Sequence, residues 1–304
     1  MTTAFALSGG GIRGPLQVGA LRSLLEHGIQ PDFFVGTSAG SINSAFMAAR
    51  GPDLSAIPEL ESAWRKGTKD VVYPGNVFTI ALRFVNGADG AFPSEGMRKL
   101  IRDNLPAGVT TFGQLKCPAY MTAADLQSRK LYLFGEDPTA PLVEAIMASS
   151  SIPVYQDPVE YGGRQLVDGG VVAVVPCSVA MDKGADTIYA INVGHGEEEQ
   201  PPVHGIFRIL MRTIDTFISQ SLFYDLRRAE ADPNVQLHHI QITDFSHLPF
   251  DDFEHIDEMY VAGKAATDRY LEHPVPFDVR PQAAPAPGPS AVPGAREYVP
   301  GYRR

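Results

Sequence analysis

Two kinds of apolar run alternate along this chain, and the alternation begins at its first residues. "TAFAL" (3–7) is a short unbroken apolar run, as a strand buried on both faces requires. Beyond a run of glycines, Pro15 suits a first helical turn, Leu21, Leu24 and Leu25 form an apolar stripe, and Gly28 closes the helix. The unit then repeats, with "PDFFVG" (31–36) as a strand and "SAGSINSAFMAAR" (38–50) as a helix closed by Gly51. Strand, turn and helix in succession predict a parallel sheet.

Further strands are expected at "AYMTAAD" (119–125), "KLYLF" (130–134), "RQLVD" (164–168) and "DTIYAINV" (186–193). Helices are expected near 95–104, 140–149 and 176–184, so the fold class is α/β. From Ile206 to Leu226 apolar residues recur with a helical period at 206, 209, 210, 214, 217, 218, 222 and 226. That pattern favours a helix covering the core over one lying in a membrane interface. Residues 68–93 mix turn residues with apolar ones and show little periodicity, which suits a mobile flap over a site, with a linker as the plainer alternative.

Composition narrows the function classes. The chain has 304 residues, 44% of them hydrophobic, enough for one large buried core. We divide it into a domain at 1–273 and a tail at 274–304, whose Pro, Ala and Gly content opposes regular structure. A net charge of -10 argues against nucleic acid and against long-range attraction to anionic membranes, while local, peripheral contact with lipid stays compatible with it. Cys117 and Cys177 read as buried free thiols of a reducing compartment. The start lacks a signal-peptide pattern and no stretch is long enough to span a bilayer, so a cytoplasmic protein is expected.

Three glycine motifs carry the chemistry. Gly36-Thr37-Ser38-Ala39-Gly40 is a G-x-S-x-G elbow with an apolar strand before it and a helix after it, the context a nucleophilic serine requires. A serine needs a base. His238, His239, His247, His255 and His273 lie downstream, but none sits in a glycine-flanked turn, and they read as surface or packing residues. Asp168 in "QLVDGGVV" is the better base, a carboxylate at a strand end followed by two glycines, although an Asp-Gly turn capping its own backbone gives the same pattern. Gly9, Gly11 and Gly14 satisfy G-x-G-x-x-G, yet the ribose-binding acid is missing from the end of the second strand, and no Gly-Lys-Ser or Gly-Lys-Thr follows. If Ser38 is an acyl nucleophile, side-chain-free amides ahead of a helix form an oxyanion hole.

These residues resemble the patatin-like phospholipases, whose signatures are G-G-G-x-[RK]-G, G-x-S-x-G and a distant D-G-[GA]. All three stand here in that order, as Gly9-Gly10-Gly11-Ile12-Arg13-Gly14, Gly36 to Gly40, and Asp168-Gly169-Gly170. "TAADL" (122–126) and "MASSSIPVY" (147–155) look like secondary blocks, and the resemblance covers roughly residues 4–272. It implies a three-layer fold with a mostly parallel central sheet, and a Ser38–Asp168 dyad that needs no histidine, metal or other cofactor. It implies oxyanion amides at Gly9, Gly10 and Gly11, and an Arg13 that holds the loop or balances charge near a phosphate-bearing substrate. The expected activity is hydrolysis of phospholipid or lysophospholipid esters through an acyl-enzyme; some members need an activating protein partner. A storage or partner-binding protein with little turnover is the alternative. Two departures stand out. Ser8 replaces an acidic residue usual in plant members, which points to the bacterial type, and Val174 stands where many members carry an asparagine that orders the loop after the aspartate.

Overall fold

The computed structural model describes residues 1–194, 201–248 and 252–275, so the expected tail falls, from residue 276 onward, outside the described residues. The chain opens as expected, with β1 (Thr3–Leu7), α1 (Gly14–Glu26), β2 (Phe33–Gly36) and α2 (Ala39–Arg50). A helical stretch follows: α3 (Ile57–Arg65), α4 (Lys69–Val72), α5 (Val77–Val85) and α6 (Glu95–Asn104). Then come β3 (Ala119–Asp125), β4 (Lys130–Phe134), α7 (Leu142–Ser150), β5 (Val159–Tyr161) and β6 (Arg164–Asp168). The chain closes with α8 (Cys177–Asp182), β7 (Thr187–Val193), α9 (Ile206–Ala231), β8 (Gln236–Ile242) and α10 (Ile256–Glu272).

One eight-stranded sheet runs in the order β5-β6-β3-β2-β1-β7-β8, with β4 beside β3. Its centre, β3-β2-β1-β7-β8, is parallel, and β4, β5 and β6 enter antiparallel. The period-2 pattern of β1 shows how the layers are built. Phe5 and Leu7 face a core shared with Leu16, Leu21 and Met259 of α1 and α10. Ala4 and Ala6 face the opposite core, with Cys177 and Ala180 of α8 and Leu222 and Leu226 of α9. A third cluster joins α6 and α7 to β3. The architecture is therefore the expected three-layer α/β fold.

The α1/α10 crossing is close because both helices present glycine to it. A Cβ at Gly263 would sit 2.0 Å from the Leu16 carbonyl oxygen, and one at Gly19 would sit 2.2 Å from that of Tyr260. Gly263→Ala is expected to destabilise the fold by about 2 kcal/mol through forced separation of the two backbones. Urea denaturation measures this, and an unchanged midpoint would contradict it.

Two expectations change. Residues 68–93 are not structureless: they contain α4 and α5, the latter started by an Asn76–Thr79 capping box. Pro74, Gly75 and Gly87 around α5 had obscured the short helical period inside. The long helix α9 does form, but only its C-terminal half covers the core: Leu222, Leu226 and Ala229 are buried, whereas Ile206 is 91% exposed and Phe217 66% exposed. Strands β5 and β8 and helices α3 and α10 were not anticipated. In β8, "QLHHIQI" carries polar residues on a strand whose His238 stacks on Tyr189 at 4.4 Å and whose His239 is half-buried, with desolvation pushing its pKa down to about 4. Both histidines are packing residues, as their sequence context indicates. Cys117 and Cys177 are buried and free.

Candidate active site

The sheet register brings the two candidate residues together. Along Met121–Asp125, β4 occupies one edge of β3, so β2 and β6 must share the other. Gly36 of β2 pairs with Met121 and Asp168 of β6 pairs with Ala123. One strand runs parallel to β3 and the other antiparallel, so their carboxyl ends meet head-on across Thr122. Thr37 locks this junction, its Oγ1 lying 2.7 Å from Thr122 Oγ1 and donating to the Ala173 carbonyl at 2.7 Å.

Ser38 leaves β2 with φ 53° and ψ -120°, a positive-φ conformation that L residues adopt only at a cost. The turn is tight enough that its two glycines admit no side chain. A Cβ at Gly36 would stand 2.4 Å from the Gly40 carbonyl oxygen, and one at Gly40 would stand 2.2 Å from that of Leu7. The elbow is held from outside, because the Ser38 amide donates to Ser149 Oγ at 2.9 Å.

Asp168 ends β6 on the other side of the junction. Its amide donates to the Ser151 carbonyl at 2.8 Å, and its Oδ1 accepts the Gly170 amide at 2.7 Å. The Asp-Gly cap and the candidate base are thus the same residue. Burial pushes the Asp168 carboxyl up to about 6, against hydrogen bonding from the Ser38 hydroxyl and the Gly170 amide, which both pull it down. A carboxylate with that affinity is suited to accept a proton near neutral pH. Residues 149–151 bracket the pair, with Ser149 holding the Ser38 backbone and Ser151 that of Asp168. The fixed triplet "SSS" was legible only as a block whose function its spacing did not reveal.

The glycine loop divides its labour. The Gly9 amide donates to the Val174 carbonyl at 2.9 Å, which takes it out of the set of free amides expected there. Among the described residues, the amides of Gly10, Gly11, Ile12 and Ala39 donate to no backbone acceptor. Gly11, Ile12 and Ala39 line the same pocket as Ser38. Free amides of Gly11 and Ala39 in the pocket that Ser38 lines are the kind of donor a two-amide oxyanion hole uses. Ala39 was not among the expected donors because its amide, unlike those of the glycine run, belongs to a residue with a side chain and so carries no sequence signature. Val174 orders its loop by other means than an asparagine would: it is buried, its carbonyl holds Gly9, and the neighbouring Val172 carbonyl accepts from Ser221 at 2.7 Å.

Arg13 turns its guanidinium to the carbonyls of Phe245 (3.2 Å), Ser246 (3.0 Å) and Leu248 (3.3 Å). Of the two roles the resemblance implied, this geometry matches holding the loop, since Nε and Nη2 are engaged by the 245–248 carbonyls. A buried polar chain supports the same loop from beneath. Trp64 Nε1 donates to Asn43 Oδ1 at 2.8 Å, Asn43 Nδ2 to Gln17 Oε1 at 2.8 Å, and Gln17 Nε2 to the Ser8 carbonyl at 2.7 Å.

The pocket beside Ser38 is walled by apolar side chains of five helices, among them Phe46, Leu60, Trp64, Met97, Ile101 and Ile146. Among the described residues no acidic or basic side chain lines it. Among the described residues no cluster of His, Cys, Asp and Glu is placed to hold a metal ion.

The family model for patatin-like phospholipases matches residues 5–181, which contain the glycine loop, the elbow and the aspartate motif. The chain belongs to this family. It is 27% identical to human patatin-like phospholipase domain-containing protein 6 over 205 residues, 67% of this chain and 14% of that protein. It is 26% identical to lysophospholipase NTE1 of Saccharomyces cerevisiae over 211 residues, 66% of this chain and 11% of that protein. The patatin-family chain therefore spans only a small part of these relatives' length. The crystal structure of VipD from Legionella pneumophila shares the fold with a TM-score of 0.51 at 13% identity, over 89% of this chain and 66% of that one.

Proposed function

We propose that this patatin-like protein is a lipid acyl hydrolase working through a Ser38–Asp168 dyad. Ser38 Oγ attacks the ester carbonyl while Asp168 takes its proton. The oxyanion is received by the amides of Gly11 and Ala39, with Gly10 adjoining, where it costs no reorganisation. Asp168 then returns the proton to the departing alcohol, leaving an acyl-Ser38 ester. Water attacks that ester with Asp168 again as base, which restores the serine. The observation that carries this reading is the head-on meeting of β2 and β6, which sets a strained serine beside a buried carboxylate at the end of an apolar pocket.

The pocket accounts for the substrate class. An uncharged apolar wall suits a fatty-acyl chain, and lysophospholipid, the substrate class in the name of the yeast relative, presents one such chain. Release of nitrophenol from esters of short, medium and long acyl chains tests this. Rising kcat/KM with chain length up to a limit is expected, and no turnover of any ester by folded protein would sink the proposal.

Asp168 sets the pH dependence. As base it must be ionised, and with its pKa raised to about 6 the active form is lost as pH falls through that value. The expected kcat/KM is flat above pH ~7 and falls about tenfold per unit well below pH 6. A profile flat down to pH ~4.5 would remove Asp168 from that role.

A further inference from the structure

Helix α9 is longer than its connection needs. It joins β7 to β8, parallel neighbours of seven residues each, and a strand of that length spans about 23 Å. A helix of 26 residues spans about 39 Å, so about 10 residues are surplus to the crossing. The surplus lies at the N-terminal end, because burial begins only at Leu222. That end follows the carboxyl end of β7, the edge of the sheet where the glycine loop and Ser38 also stand. Asp215 of α9 is close enough to Arg13 to act on its charge, which places the projecting half beside the loop.

The projecting half presents an apolar stripe away from the core. Ile206, Leu210 and Phe217 fall within 40° of one another on the helix and oppose Leu222, Leu226 and Ala229, and Tyr224 continues the stripe into the core-covering half. In chain order the four stripe residues are 91%, 47%, 66% and 52% exposed. Helix α5 carries a second such face, with Phe78 at 86% and Val85 at 83% exposure. This helix closely follows pocket-lining Tyr73 along the chain, and its Arg83 pairs at 2.7 Å with Asp157, shortly after pocket-lining Ile152. The charges depart from the acidic whole. Residues 206–218 hold Arg208 and Arg212 against Asp215 in a chain of net charge -10, whereas Arg83 of α5 is already paired with Asp157. Apolar residues set among arginines match the acyl chains and phosphates of a phospholipid surface.

We propose that the projecting half of α9 and the exposed face of α5 seat this protein on a phospholipid surface. The inference rests on the lipid-hydrolase reading for its purpose, but binding can be measured without catalysis. Neither helix is long and apolar enough to cross a membrane, so the contact is peripheral.

The test uses the full chain carrying Ser38→Ala, so that vesicles are not consumed, and measures co-sedimentation with phosphatidylcholine vesicles with and without phosphatidylglycerol. Binding is expected, and Leu210→Asp/Phe217→Asp and Phe78→Asp/Val85→Asp are each expected to weaken it by about tenfold or more. In the Ser38 enzyme these substitutions should leave hydrolysis of a soluble short-chain ester unchanged while lowering hydrolysis of vesicle lipid. Wild-type partition by either variant would overturn the proposal. So would a dimer that these substitutions split into monomers, without vesicle binding by either form, because a second copy would then be the occupant. Loss of ester hydrolysis with vesicle binding intact would fault the catalytic reading alone.

Discussion

Ser38→Ala is expected to lower ester hydrolysis by about 10⁴-fold or more and to abolish labelling by a fluorophosphonate, since no other nucleophile stands at the elbow. Asp168→Asn should lose a comparable factor, because Asn keeps the shape of the group but accepts no proton. The double variant should be scarcely worse than either single one, as for residues that act as a unit. Stability separates this loss from unfolding. Folding raises the Asp168 pKa from 3.8 to about 6, so the folded state binds the proton more tightly than the unfolded chain. The stability tied to that group is full below pH ~4, falls as pH rises through about 6, and is absent at pH 8. Asp168→Asn is therefore expected to match or exceed the wild-type melting temperature at pH 8. An inactive variant that melts well below wild type would say nothing for the dyad, and an Asp168→Asn enzyme of near-normal activity would refute it.

Gly40→Ala should be the most damaging small substitution in the site. Its Cβ would lie 2.2 Å from the Leu7 carbonyl oxygen, 2.6 Å from its carbon and 2.7 Å from the Ser8 carbonyl oxygen, all backbone of β1 and the loop beyond. Neither side can yield by rotating a side chain, so the elbow and β1 must separate, at about 3 kcal/mol or more. Gly9→Ala is the control from the facing loop: its nearest contacts would be 3.4 Å from Ser38 Cβ and Val174 Cγ2, ordinary packing distances. Denaturant melting should show a large loss for Gly40→Ala and a small one for Gly9→Ala. Equal effects would mean that the elbow is not seated on β1 as described.

Much of this was legible along the chain because it depends on neighbours in sequence. A short apolar run bounded by glycines, such as "TAFAL", reads as a strand buried on both faces, and the glycines at 36 and 40 mark a turn with no room for side chains. Asp168 stood out because glycines follow it at a strand end. What failed had one local cause and one long-range cause. The helix at 77–85 was hidden among turn residues, and β8 was hidden because Tyr189 and Tyr270, far off in sequence, supply the packing for its histidines.

The sequence by itself determined the element types around the site, the candidate nucleophile and its candidate base, since each is encoded within a few residues. Tertiary structure decided everything that depends on which backbone lies opposite which. It spent the Gly9 amide on Val174, turned Arg13 toward the 245–248 carbonyls, and brought Ser38 to Asp168 across Thr122 through two strands that share one edge of β3. It also decided that half of α9 has no core to cover. A helical period records which residues share a face, whereas the extent of the sheet beneath determines how many of them are buried.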